Sequence, residues 1–144
     1  MNNTTNSRIL KNSQTIPEKM LSIDPFSQWL GIEVLEVEKG RCKVGMTVRK
    51  EMLNSMGKAH GGISYSLADT AFGFSANTHG KHAVSIETSI NHIEALEEGD
   101  YLTAEAVTDI AKTKVGFNIV EVKRGEQIVA LFKGVVYRTN KNWE

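Results

Sequence analysis

The chain contains 144 residues, with 17 basic and 17 acidic side chains and a mean hydropathy of -0.27. One folded domain accommodates this length, because single cores commonly hold about 100 to 200 residues. The balanced charge excludes the strongly basic surface that nucleic acids and anionic lipids attract, so we expect neither kind of partner.

The cysteine and histidine content limits the possible cofactors and compartments. Cys42 is the only cysteine, which excludes an internal disulfide and indicates a reducing compartment. The four histidines lack the spacing of a metal site, so we expect no metal and no other cofactor. No segment approaches the roughly 20 apolar residues of a membrane span, and the N-terminus lacks the apolar run of a signal peptide. We therefore expect a cytoplasmic protein.

The N-terminal segment divides into an arm and a short helix. Residues 1–15 are rich in Asn, Thr and Ser and contain few apolar anchors, which indicates a disordered arm before a single domain over residues 16–144. Within residues 16–30 the apolar side chains recur at helical spacing, until Asp24 and Pro25 interrupt the pattern. This pattern predicts a short lead-in helix.

The rest of the chain predicts an α+β fold. Residues 32–37 and 42–48 read as a strand hairpin, and residues 61–77 read as one long helix. Four more segments have strand composition: 83–93, 101–110, 114–122 and 127–138. Because strands and helices do not alternate, we expect an antiparallel sheet wrapped around the long helix. Three methionines are predicted core residues: Met46, Met52 and Met56.

The long helix carries a single formal charge, Asp69, between Gly61 and Thr78. A helix with one face in water normally carries several charges, so both faces of this one should be largely covered. The stripe expected to pack on the sheet consists of Ile63, Leu67, Ala71 and Phe74. Asp69 points away from that stripe, among small or apolar neighbours that suit an interface or a ligand slot. A half-buried carboxylate can serve as general base or nucleophile, although a purely structural acid is the alternative.

The segment LNSMGKAHGG opens the helix with His60 followed by two glycines. Amides in a first helical turn lack intrahelical acceptors, and glycine lets a ligand oxygen approach them, so Gly61 is a candidate oxyanion-hole donor. Two glycines also serve tight packing, a lone histidine is usually satisfied by the backbone, and Asn54 is also explained as a turn residue.

Taken together, MLNSMGKAHGGISYSLADTAFGFSAN resembles the central motif of the phenylacetate-degradation thioesterases, a branch of the hot-dog superfamily. Asn54 precedes His60 by six positions, Asp69 follows His60 by nine, and LADTAF surrounds the acid intact. The resemblance extends over about residues 20–138, including the EEGD turn and the VALFKG segment.

The resemblance implies a hot-dog fold paired into a homodimer, often a homotetramer, with two active sites in the subunit interface. On this pattern the Gly61 amide, assisted by Asn54, holds a thioester carbonyl, and His60 braces the loop. Asp69 of the other subunit acts on that carbonyl as general base or as nucleophile. Ser85 matches the place of a hydroxyl that positions water in some relatives.

The implied activity is hydrolysis of an acyl-CoA, such as a phenylacetyl- or hydroxyphenylacetyl-CoA-like thioester, to a free acid and CoA. A hot-dog module that binds acyl-CoA without turnover is the alternative, and a hydratase would need a histidine and acid pair that is not evident. Relatives often carry a bulky aromatic, Arg and Pro where this chain has His92, Glu94 and Ala95. This departure leaves the acyl specificity and the oligomer packing open.

Overall fold

The computed structural model describes residues 14–143. This part of the chain contains three α-helices, α1 (Ile16–Ser22), α2 (Pro25–Leu30) and α3 (Gly61–Asn77), and a 3-10 turn at Lys50–Met52. It also contains six strands: β1 (Glu33–Glu38), β2 (Arg41–Thr47), β3 (Lys81–His92), β4 (Tyr101–Ala111), β5 (Val115–Arg124) and β6 (Gln127–Asn142). The predicted α+β order is confirmed. The predicted arm falls mostly on residues 1–13, which lie outside the described residues.

The predicted lead-in helix is two helices joined at the interruption that the sequence indicates. The Asp24 side chain caps α2 by accepting from the Ser27 amide at 3.0 Å, and Pro25 supplies the first helical residue. Gly31, at φ 75°, ends α2 in the left-handed conformation that glycine favours. None of the helices in residues 14–143 is long and apolar enough to cross a membrane.

The strands form one antiparallel sheet in the order β1-β2-β4-β5-β6-β3 within the described residues. β3 follows α3 in the chain but pairs with β6, so it lies at one edge of the sheet. Along β5 and β6 buried and exposed residues alternate, because successive side chains point to opposite faces of a sheet. The sheet therefore presents one buried face and one exposed face.

The buried face packs on α3. The predicted stripe of the helix is buried, as are the inward residues of the central strands that meet it, among them Val44, Leu102, Val120 and Phe132. Gly134 of β6 lies directly under the Phe72 ring, since a Cβ placed there would approach the ring within 2.6 Å. Truncating a buried Phe such as Phe72 typically costs about 3 to 5 kcal/mol, so this contact fixes how α3 sits on the sheet.

Candidate active site

The first turn of α3 presents an unpaired amide. The His60 imidazole caps the helix through Nδ1, which accepts from the Gly62 amide at 2.9 Å. The Gly61 amide donates to no acceptor within residues 14–143, and both glycines are exposed. A free N–H at the positive end of a 17-residue helix attracts an oxygen that carries negative charge.

Asn54 shapes the loop that precedes this helix. Its Oδ1 accepts from the Met56 amide at 2.9 Å and from the Lys58 amide at 3.2 Å, so the side chain closes a tight turn. The Asn54 Nδ2 group donates to nothing among the described residues. The predicted turn role is therefore present, and the amide nitrogen remains available for a ligand.

A cleft of about 340 Å³ lies between this loop, the start of α3 and the segment after β3. Residues that line it include Asn54, Met56, Lys58, Gly61, Ser64 and His92. The structure thus brings together the predicted residues Asn54 and Gly61, next to the cap formed by His60. The prediction that Met56 is a core residue is wrong, because the turn projects its side chain outward and leaves it 80% exposed. Met46 and Met52 are buried as predicted.

His92 is a cleft residue that the sequence marked only as a departure from the family pattern, in a region that can shape substrate access. It lies at the end of β3, and its Nδ1 is 3.1 Å from the hydroxyl of Ser64 in α3. The one available signal was the departure from the family pattern at this position. Farther along the same strand and helix, the Tyr65 and Thr88 hydroxyls are 2.6 Å apart, so β3 runs beside α3.

Asp69 lies in the middle of α3 with its side chain half-buried. Burial raises the pKa of its carboxyl group above the ordinary aspartate value. Within the described part of the chain the carboxylate accepts no hydrogen bond and forms no ion pair, so nothing offsets this desolvation. Such a carboxylate keeps a basic lone pair, as a general base requires.

One chain does not unite Asp69 with the Gly61 amide. Asp69 lies eight positions after Gly61, which is about 12 Å along a helix that rises about 1.5 Å per residue. Asp69 is also not among the residues that line the cleft. A carbonyl bound at Gly61 is therefore out of reach of Asp69 in the same chain.

Ser85 lies opposite Val136 in the β3–β6 ladder. Residues directly opposite in a ladder share a face, and Val136 is buried, so Ser85 is on the side of the sheet that faces α3. Its side chain is exposed and does not line the cleft.

Other nucleophiles and metal sites receive no support from residues 14–143. Burial raises the pKa of the Cys42 thiol to about 12, which makes it inert as a nucleophile. No group of three or more His, Cys, Asp or Glu side chains in this range is arranged to hold a metal ion.

Comparisons with known proteins agree with this geometry. The sequence model of the thioesterase superfamily matches residues 56–130. The acyl-coenzyme A thioesterase PaaI of Escherichia coli K12 is 36% identical over 120 residues, which are 83% of this chain and 86% of that protein.

Two solved structures show the same architecture. The E. coli PaaI protein from the phenylacetic acid degradation operon superposes with a TM-score of 0.86 at 33% identity, covering 88% of this chain and 93% of that one. The smu.793 protein of Streptococcus mutans bound to acetyl CoA superposes with a TM-score of 0.75 at 27% identity, covering 78% and 91%. The chain therefore belongs to the thioesterase superfamily and has the hot-dog fold, and its homologues of the PaaI type are thioesterases.

Proposed function

We propose that the protein hydrolyses an acyl-CoA thioester to a free acid and CoA, at a site shared between two chains. The observation that carries this proposal is the unpaired Gly61 amide at the start of a long helix, beside an open cleft. A thioester carbonyl that accepts from this amide is polarised. One such donor is typically worth about 3 to 4 kcal/mol in the transition state.

Asp69 of the second chain supplies the base. Its carboxylate takes a proton from water as the water oxygen adds to the thioester carbon, and the Gly61 amide holds the resulting oxyanion. Collapse of this intermediate breaks the C–S bond, and the departing sulfur takes the electron pair and then a proton. Direct addition of the carboxylate, followed by hydrolysis of the mixed anhydride, uses the same groups.

A homodimer formed at the β3 edge supports this shared site. Among the described residues β3 pairs only with β6, and its exposed residues Val84 and Ile86 give the other edge an apolar character. An unpaired edge strand is a template for pairing with another chain. Antiparallel pairing of two β3 strands extends the sheet and sets two α3 helices side by side, so that each Asp69 faces the other chain.

The outer face of the sheet supports a tetramer. Large apolar side chains crowd that face and are 40 to 48% exposed: Val107, Phe117, Ile119 and Leu131. Exposed apolar side chains interspersed with charged ones such as Glu121 and Lys133 are compatible with a protein interface. We therefore assign this face to contact between two dimers. Sedimentation of wild type as a tetramer and of Ile119→Lys as a dimer is the expected result.

An arylacetyl-CoA substrate, such as phenylacetyl- or hydroxyphenylacetyl-CoA, is supported by the similarity to the E. coli protein from the phenylacetic acid degradation operon. The chain departs from the family pattern at His92, Glu94 and Ala95, which line the cleft. Acyl groups of different size and polarity therefore belong in the substrate panel. We propose that the protein is cytoplasmic. Its single thiol, Cys42, is buried and free, which is compatible with that reducing compartment.

The test is release of CoA thiol from arylacetyl- and medium-chain acyl-CoA esters by wild type and Asp69→Asn. Because the amide cannot accept a proton from water, we expect at least about a 100-fold loss of kcat/KM. Glu126→Gln, an exposed carboxylate-to-amide change in a hairpin turn, is the matched control and should keep the wild-type rate.

The result also separates an enzyme from a module that only binds acyl-CoA. Binding of acyl-CoA by wild type without release of thiol would favour the binding module. Full activity of Asp69→Asn would remove Asp69 from the mechanism.

A further inference from the structure

The His92 ring lies against the start of α3. A Cβ placed on Gly61 would lie 3.3 Å from His92 Nε2 and 3.6 Å from Cε1, so the ring covers the position beside the Gly61 amide. His92 also lines the cleft together with Asn54 and Gly61. An oxygen that accepts from the Gly61 amide would lie in the same cleft as the imidazole.

Ser64 fixes the direction of this ring. The Ser64 side chain is 2% exposed, and its Oγ lies 3.1 Å from His92 Nδ1 and 3.2 Å from the Gly61 carbonyl oxygen. The Ser64 hydroxyl has one proton for two neighbours, the Gly61 carbonyl oxygen and His92 Nδ1, and Nδ1 has no other partner among the described residues. We therefore assign the hydroxyl proton to the bond with Nδ1, which leaves the ring proton on Nε2.

We propose that the Nε2–H group of His92 is a further donor of the oxyanion hole. It would donate to the same thioester oxygen that accepts from the Gly61 amide. This inference rests on the proposed thioesterase function and adds a residue to its site. Ser64 is too buried to act as a nucleophile itself, so its part is to position His92.

Two other side-chain donors near this position are already engaged. The charged side chains that line the cleft are Lys58 and Glu94, and Lys58 is already in an ion pair with Glu97. The His60 imidazole is occupied by the helix cap. Histidine side chains can stabilise a developing oxyanion by donating a hydrogen bond, with no transfer of the proton.

Steady-state kinetics of three variants test the proposal. His92→Phe keeps a planar ring and removes the donor, so we expect kcat to fall roughly 100-fold while KM changes less than about threefold. His92→Gln, which restores an N–H donor, should recover about tenfold of that loss. His82→Phe is the matched control, because His82 lies on the same strand but stacks on Trp143 outside the cleft. It should retain the wild-type rate.

Nitrogen NMR of the histidine side chains gives a readout independent of turnover. We expect wild-type His92 to carry its proton on Nε2, and Ser64→Ala to lose this preference. The probe is the ketone analogue of acetyl-CoA in which a methylene group replaces the sulfur. Its carbonyl oxygen should shift the Nε2 signal in the wild type.

Failure of the inference is distinguishable from failure of the thioesterase proposal. A proton on Nδ1, no response to the ketone, or a His92→Phe rate within about threefold of wild type would each overturn the role of His92 even if thioesters are hydrolysed. If no acyl-CoA is hydrolysed but the ketone still shifts Nε2 in a Ser64-dependent way, His92 remains a carbonyl-binding residue while the proposed activity fails.

Discussion

At the C-terminal end of α3 the Asn77 side chain is 2% exposed and uses all of its hydrogen-bonding groups. Its Nδ2 donates to the Gly73 and Ala83 carbonyls, and its Oδ1 accepts from the Ala83 amide and Trp143 Nε1 at 3.0 and 2.8 Å. At the N-terminal end, 16 positions earlier, the Gly61 amide donates to nothing in residues 14–143.

This difference assigns the two ends of one helix to different tasks. Buried polar groups that are fully paired hold a unique packing, and leaving one unpaired typically costs about 1 to 3 kcal/mol. An exposed unpaired amide costs little, because water replaces the missing partner, yet it is ready for a ligand. We therefore expect substitutions at the Gly61 end to change catalysis and substitutions at the Asn77 end to change stability.

The largest effect is expected at Gly61. Gly61→Pro removes the N–H group and adds a ring, but it should preserve the helix start, since proline is favoured at the first helical position and His60, at ψ 138°, has the extended backbone that precedes proline well. Removing one oxyanion-hole donor should lower kcat about 100- to 1000-fold. Gly61→Ala has the same Cβ near His92 but keeps the amide, so it separates crowding from loss of the donor. Equal losses in both variants would contradict the role of the amide.

Mixing two inactive variants tests whether the site is shared between chains. In a heterodimer of Gly61→Pro and Asp69→Asn, one of the two proposed sites contains both an intact amide and an intact carboxylate. Random exchange of subunits should therefore recover about a quarter of the wild-type activity. The two variants measured separately are the controls. No recovery after confirmed exchange would place both groups in the same chain.

The sequence predicted the span of α3 to the residue, because the glycine pair and the charge-poor run mark its limits. Strand ends were predicted less well: β6 extends to Asn142 because it pairs with Lys81, a contact that only the folded ladder creates. His92 escaped prediction as a cleft residue for the same reason. It lies 31 positions after Gly61, and no local pattern reveals that β3 runs beside α3.

The next largest effect is expected at Asn77, at the C-terminal end of α3. Asn77→Ala leaves the Ala83 amide and Trp143 Nε1 without their acceptor, so the free energy of unfolding should fall by about 2 to 4 kcal/mol. The folded variant should keep kcat within about twofold, because the cleft lies at the other end of α3. Urea unfolding checks the stability, with the exposed Asn91→Ala as control. A large fall in kcat without a loss of stability would contradict this division.

The pH dependence of kcat/KM tests the carboxylate in the middle of α3. Asp69 must be ionised to act, and burial raises its pKa above the ordinary value of 3.8. Activity should therefore decline tenfold per pH unit below that raised pKa, with a midpoint above 3.8. The pH profile of His92→Phe should show the same acidic decline of kcat/KM, which would exclude His92 as the titrating group. A flat profile down to pH 4 would contradict a buried catalytic carboxylate.

The smallest effect is a gain in stability when the catalytic acid is neutralised. The pKa of Asp69 is higher in the folded chain than in the unfolded one, so its ionisation opposes folding. This destabilisation is fully present at a pH above the pKa of Asp69 in the folded chain, and it vanishes at a pH below the pKa of Asp69 in the unfolded chain. At pH 7 the free energy of unfolding of Asp69→Asn should therefore exceed that of the wild type, by less than about 1 kcal/mol, since the half-buried carboxylate keeps part of its hydration. Unfolding at matched protein concentration, with Glu126→Gln as control, checks the sign, and a loss of stability would reveal a stabilising partner for the carboxylate.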